Sequence, residues 1–137
     1  MRRLLIVISL SFLMLTVVVL TVSCKNDQSE SIEVVTPEEM QEISELEDVQ
    51  LIDLRTPQEF DTGHIASSQN IDYFSDTFEE DIQKLDKSKP VVVYCKSGKK
   101  SAECADKMKD NGFVKIYDLD GGIAKWKYKG FNIEMIP

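Results

Sequence analysis

Histidine and cysteine are scarce in this chain of 137 residues, which has one histidine and three cysteines. Cys24, Cys95 and Cys104 are too few for a disulfide framework. No Cys-x-x-Cys pair is present and His64 stands alone, so the ligand spacing of a zinc site is missing. We therefore expect neither a metal nor a cofactor, and any chemistry has to come from ordinary side chains.

Positive charge is also scarce. The chain has 16 Lys and Arg residues against 24 Asp and Glu residues, and Arg2 and Arg3 lie at the extreme N-terminus. The part after Cys24 therefore has 14 basic residues and a net charge of −10. Charge of this sign repels nucleic acid and anionic lipid headgroups. We expect no nucleic-acid partner, and the three lysines that follow Cys95 are a local exception.

Only one long apolar run exists, from Leu4 to about Val22, and it follows two arginines. This order is typical of an export signal. The run ends at Ser23-Cys24, which resembles a bacterial lipoprotein cleavage site, although Thr21 stands where leucine is usual. We expect Cys24 to be lipidated and the protein to be held on the periplasmic face of the cell envelope. The alternative is an uncleaved transmembrane anchor, since about 19 apolar residues can span a bilayer.

The chain divides into a leader of residues 1–24, a polar tether of residues 25–31 and one domain of residues 32–137. Strand candidates alternate with helix candidates along that domain. The predicted strands are Ile32–Val35, Val49–Leu54, Asn70–Tyr73, Val91–Tyr94 and Val114–Leu119. This alternation predicts an α/β fold in which a mainly parallel five-stranded sheet is flanked by helices. Ligands of such sheets lie at the carboxyl ends of the strands.

The most informative segment runs from Pro90 to Ser101. A buried strand, Val91–Tyr94, ends at Cys95, and a short loop with a glycine and three lysines follows before a helical pattern. A cysteine beside a helix N-terminus and cationic side chains favours the thiolate over the thiol. The segment therefore predicts a nucleophilic cysteine in an anion-binding loop, although free cysteine can also be simple core filler.

Two groups of motifs then resemble the two halves of a rhodanese domain. The first half contains Leu51-Ile-Asp-Leu-Arg55, Glu59-Phe60, Gly63-His64-Ile65 and Asn70-Ile71. The second half contains Cys95-Lys-Ser-Gly-Lys-Lys-Ser101, Gly112-Phe113, Leu119-Asp-Gly-Gly-Ile123, Trp126 and Gly130. Each motif is weak alone, but their joint order and spacing are specific. The resemblance covers about residues 32–136, essentially the whole domain.

This resemblance implies a sulfurtransferase with Cys95 as the catalytic residue. Cys95 would take sulfur from a small anionic donor, thiosulfate or a persulfide, and pass it to a thiol or to cyanide. We expect a monomer tethered to the membrane by the lipid on Cys24. The substrate-binding candidates are Lys96, Ser97, Gly98, Lys99, Lys100, Ser101 and Arg55.

The resemblance also assigns supporting roles. It implies that Arg55 pairs with Glu59 and that His64 orders its loop by hydrogen bonding. Lys100 stands where the family often has arginine, which keeps the charge but loses the planar bidentate fork. Helical spacing favours burial for Cys104 over a redox role. Two aromatic residues are candidates for the rim of the site, Phe74 and Phe78.

Two other functions remain open from the sequence. Some phosphatases share this fold, but they need a loop one residue longer that ends in arginine, and the residue six positions after Cys95 is Ser101. A non-enzymatic or redox sulfur-relay module of the cell envelope could use the same loop to bind a partner. An exported location favours that alternative because a thiolate there is open to oxidation.

Overall fold

A computed structural model describes residues 31–46 and 48–136. The predicted leader, the lipidation candidate Cys24 and most of the predicted tether lie outside the described residues. In the part of the chain that is described, none of the helices has the length and apolar character needed to cross a bilayer.

Five parallel strands form one sheet, which confirms the predicted fold class. They are β1 (Ile32–Val35), β2 (Gln50–Asp53), β3 (Gln69–Asn70), β4 (Val91–Tyr94) and β5 (Ile116–Leu119). Their spatial order is β1-β5-β4-β2-β3, and all four pairings are parallel. β3 is only two residues long and ends at Asn70, so the prediction that this strand continues to Tyr73 was wrong.

Among the described residues, five helices connect and flank the strands. They are α1 (Pro37–Leu46), α2 (Pro57–Asp61), α3 (Phe78–Gln83), α4 (Lys99–Asp110) and α5 (Gly122–Tyr128). The first two begin in the same way, because Thr36 and Thr56 each close a capping box with the glutamate three residues later. These reciprocal hydrogen bonds satisfy backbone donors that a helix start leaves open. A proline at the first helical position follows each threonine.

The sheet separates two apolar clusters, and β4 contributes to both. Val91 and Val93 pack with Cys104 and Met108 of α4 on one face. Val92 and Tyr94 face the other side, in the cluster that includes Trp126. Alternate residues of a strand point to opposite faces, so a strand covered on both sides is apolar throughout. All four residues of β4 are fully buried, which fixes the position where Cys95 leaves the sheet.

Candidate active site

Cys95 lies directly after β4, between the sheet and the start of α4. It is 6% exposed and is not in a disulfide. The backbone turns sharply between these elements at Gly98, whose φ of +94° lies in the left-handed region that glycine tolerates best. This turn brings the loop back over the sulfur atom.

Two hydrogen-bonding groups reach the cysteine sulfur, one from the loop and one from the first turn of α4. The backbone N–H of Gly98 donates to Cys95 Sγ at 3.1 Å. The hydroxyl oxygen of Ser101 lies 3.7 Å from the same sulfur, and it also donates to the Gly98 carbonyl at 3.1 Å. A backbone N–H directed at sulfur stabilises a thiolate or another sulfur anion at this point. The structure thus brings Gly98 and Ser101 of the predicted set onto the nucleophile.

The N-terminus of α5 contacts the cysteine loop through two backbone hydrogen bonds. The Ile123 N–H donates to the Cys95 carbonyl at 2.9 Å, and the Ala124 N–H donates to the Lys96 carbonyl at 3.1 Å. Gly122 makes this approach possible, because a Cβ atom there would collide with the Cys95 carbonyl oxygen and lie 2.9 Å from the Lys96 carbonyl. Gly122 therefore lets the N-terminus of α5 fix the backbone of the cysteine loop.

Among the three lysines, Lys100 is the one whose side chain is partly buried and held by its neighbours. Its ammonium group pairs with Glu103 at 2.7 Å and lies over the Tyr73 and Phe74 rings. The Glu103 hydrogen bond raises the pKa of Lys100. The ion pair holds this cation on the first turn of α4, the helix that follows the cysteine loop. The other polar loop residues, Lys96, Ser97 and Lys99, have exposed side chains.

Arg55 pairs with Asp53 and not with Glu59, so the pairing implied by the resemblance is wrong. Its guanidinium contacts both Asp53 carboxylate oxygens, with a shortest distance of 2.6 Å, and donates to the Gly63 carbonyl at 2.7 Å. Glu59 is occupied by the Thr56 capping box. Burial opposes the charge on Arg55, but the Asp53 contacts more than offset it, so the pKa of Arg55 is raised.

These contacts of Arg55 hold the end of β2 to the loop at Gly63. In the part of the chain that the structure describes, the hydrogen bonds of the Arg55 side chain go to Asp53 and Gly63. None of them goes to the Cys95 loop. The structure therefore gives Arg55 a place in the scaffold and does not bring it to the predicted substrate-binding set.

His64 orders its loop by hydrogen bonding, as the resemblance implies. Its Nδ1 lies 3.0 Å from the Phe60 carbonyl, and its ring stacks on the Phe60 ring. Its backbone forms an antiparallel bridge with Glu134. Close by, the Tyr94 hydroxyl accepts from the Ile65 N–H at 3.1 Å. The residue before Cys95 is thereby tied to this loop.

The burial of Cys104 and Phe78 tests two further expectations. Cys104 is fully buried, and desolvation raises the pKa of its thiol to about 12, which confirms a packing position. Phe78 is 3% exposed and belongs to the core, so the prediction that it rims the site was wrong. Phe74 is 70% exposed and lies beside Lys100.

Asp118 is a polar residue near the site that the sequence interpretation missed. It lies inside β5 and is 6% exposed, and its Oδ1 has no hydrogen-bond partner among the described residues. Burial raises the pKa of this carboxyl group. The signal was present in the sequence, because a charged residue in a central, buried strand is rare without a specific role. In the described residues, no cluster of His, Cys, Asp or Glu could hold a metal ion.

With this geometry in place, comparison with known proteins identifies the family. The sequence profile of the Rhodanese-like domain matches residues 36–129. The thiosulfate sulfurtransferase GlpE of Pseudomonas aeruginosa is 34% identical over 99 residues, which is 72% of this chain and 87% of that protein. The chain belongs to the rhodanese-like domain family.

Further relatives and solved structures agree with this assignment. The uncharacterized protein YqhL of Bacillus subtilis is 38% identical over 77 residues, 56% of this chain and 60% of that protein. A rhodanese-related protein of Thermoplasma volcanium superposes with a TM-score of 0.68 at 26% identity, covering 75% of this chain and 98% of that one. A polysulfide-sulfur transferase of Wolinella succinogenes superposes with a TM-score of 0.65 at 28% identity. The match covers 77% of this chain and 80% of that one.

Proposed function

We propose that this protein is a sulfurtransferase that carries sulfane sulfur as a persulfide on Cys95. The observation that carries the proposal is the geometry around Cys95 Sγ. A buried sulfur accepts the Gly98 N–H at 3.1 Å at the start of a helix, in a loop with three lysines. The family and the named activity of the relative GlpE support the same reaction.

In the first half-reaction, the Cys95 thiolate attacks the outer sulfur of a donor such as thiosulfate. A sulfur–sulfur bond forms on Cys95 while the one in thiosulfate breaks, and its electron pair leaves with sulfite. The total charge is unchanged, since a thiolate and a dianion give a persulfide anion and a dianion. The Gly98 N–H and the Lys100 ammonium group favour the anionic species on both sides of this step.

In the second half-reaction, cyanide or a thiolate attacks the terminal sulfur of the persulfide. The new bond forms to the acceptor, and the electron pair of the broken bond returns to Cys95 as the thiolate. Splitting the transfer into two displacements is covalent catalysis. It needs no resident metal or cofactor and no separate general base once the thiolate is formed.

We also propose that the protein is exported and anchored by a lipid on Cys24. The support is the sequence pattern alone, namely two arginines, an apolar run and the Ser23-Cys24 junction. The negative charge of the remaining chain favours a lipid anchor over adhesion to anionic headgroups. A monomeric state stays a prediction.

Thiocyanate formation from thiosulfate and cyanide tests the proposed activity. We expect turnover by the wild type, none by Cys95→Ser and near-normal turnover by the control Cys104→Ala. A correctly folded wild type without turnover would favour the non-enzymatic binding module. Activity retained by Cys95→Ser would contradict the assignment of the nucleophile.

A further inference from the structure

A groove beside α1 lies away from the cysteine loop. It opens between the second half of α1 and the end of α5, and it holds a cavity of about 340 Å³. Its lining includes three large apolar side chains, those of Met40, Trp126 and Phe131. The cysteine loop contacts the N-terminus of α5, whereas this groove lies at the other end of the helix. The groove is therefore separate from the site of the proposed sulfur chemistry.

The shape of the groove suits a segment of polypeptide. A second cavity of about 260 Å³ adjoins the first along α1 and shares Gln41, Glu45 and Phe131 with it. Together the two cavities follow α1 from Glu38 to Glu45, a rise of about 10 Å. An extended segment of about three residues spans that distance. An elongated groove of this kind fits a peptide better than it fits a compact small molecule.

Acidic side chains of α1 line one wall of the groove, namely Glu38, Glu42 and Glu45. Glu38 already pairs with the Lys129 ammonium group at 3.2 Å, so this wall accepts a cation of the chain itself. Within the described part of the chain, Glu42 and Glu45 are exposed and form no ion pair. An apolar surface edged by carboxylates attracts an apolar group with positive charge beside it and repels anions.

We propose that this groove binds a basic segment of a partner protein, in which a large apolar side chain stands between lysines or arginines. The apolar side chain packs against Trp126 and Phe131, whose rings stack with centroids 4.5 Å apart. The flanking cations pair with Glu42 and Glu45. An apolar anchor in a pocket supplies affinity, and charge pairs at the rim supply specificity. The negative net charge of the chain disfavours a second copy or an anionic lipid as the occupant.

Three short capped peptides test the groove: Lys-Lys-Phe-Lys-Lys, Lys-Lys-Ala-Lys-Lys and Glu-Glu-Phe-Glu-Glu. Each peptide is titrated into the full-length protein in a non-ionic detergent, and the anisotropy of a dye on the peptide measures its affinity. Trp126 is the single tryptophan of the chain and lines the cavity, so its emission reports where the peptide binds. We expect the first peptide to bind saturably and to change the Trp126 emission. The other two should bind at least about tenfold more weakly, and equal binding by all three overturns the proposal.

Two charge-reversal variants locate the binding. Glu45→Lys should weaken binding of the first peptide about five- to tenfold, because an attracting pair is lost and a repelling one replaces it. The matched control Asp106→Lys makes the same change in net charge at an exposed position of α4, on the other face of the sheet. Its affinity should stay within about twofold of the wild type, since salt screens distant charge. Equal weakening by the two variants would indicate general attraction to an acidic protein and would overturn the proposal.

A variant that fills the cavity tests its apolar part without a change of charge. Ser44 is exposed on α1 and lines the cavity. Ser44→Phe should abolish saturable binding of the first peptide, and unchanged affinity would contradict the proposal. Sedimentation without peptide tests the other occupant, because a dimer that Ser44→Phe dissociates would assign the groove to a second copy and also overturn the proposal. None of these measurements involves sulfur, so their failure leaves the proposed function standing.

Discussion

Replacing Gly122 by alanine should damage the cysteine loop far more than a comparable replacement elsewhere. Gly122 has a φ of +57°, so alanine is strained there, at a cost of about 1 kcal/mol. The added Cβ would also collide with the Cys95 carbonyl oxygen and meet the Lys96 carbonyl at 2.9 Å. These are backbone atoms that cannot rotate away. Forced overpacking of this kind costs a further amount of about 1–3 kcal/mol.

The matched control is Gly112→Ala at the end of α4. Gly112 also has a positive φ, +86°, but a Cβ atom there meets nothing within 4 Å. It should therefore show the backbone strain without the collision. The difference between the two variants isolates the contact between α5 and the loop, about 1–3 kcal/mol in the free energy of unfolding.

The two variants are compared by urea denaturation and by the rate of sulfite release from thiosulfate. We expect Gly112→Ala to be slightly destabilised and nearly fully active. Gly122→Ala should lose more stability and most of its activity, even where it is fully folded, because α5 no longer holds the Cys95 and Lys96 carbonyls. Equal stability losses with equal rates would refute the idea that the α5 N-terminus fixes the loop.

The remaining predictions concern charge and anchoring. Lys100→Ala should lower thiosulfate turnover several-fold at low ionic strength. The loss should be smaller in salt, since the cation partly faces solvent and is screened. Lys100→Arg should keep the wild-type rate, and the distant exposed control Lys109→Ala should not change it. Equal rates for Lys100→Ala and wild type would show that the donor does not sense this charge. Cys24→Ala should accumulate as a precursor without fatty acid when cells are labelled with radioactive palmitate, and a processed, lipidated variant would disprove the lipoprotein hypothesis.

The fold could be predicted from the sequence because its local signals agree with one another. The four apolar residues of β4 indicate a strand buried on both faces, and the two Thr-Pro-x-Glu segments mark helix starts. β3 was predicted too long: Ile71 and Tyr73 lie after the strand, and although their N–H groups donate to the Asp53 and Leu54 carbonyls, they do not extend the ladder. Local patterns determine which elements form, but the partner strand determines where pairing ends.

The site was less predictable, because its contacts join residues that are distant in sequence. Cys95, Gly98 and Ser101 belong to one short sequence motif, so their proximity follows from it. The position of Asp118 beside the strand that leads to Cys95 needs β5 next to β4, which only the sheet order supplies. The pairing of Arg55 was predicted wrongly, since Glu59 suits either an arginine or a helix cap.

The central claim is that Cys95 carries the transferred sulfur, and intact-protein mass spectrometry after exposure to thiosulfate tests it most directly. The account predicts a mass gain of one sulfur atom for the wild type, reversed by cyanide, and no gain for Cys95→Ser. An adduct that persists in Cys95→Ser, or a folded wild type that gains no sulfur, would contradict it.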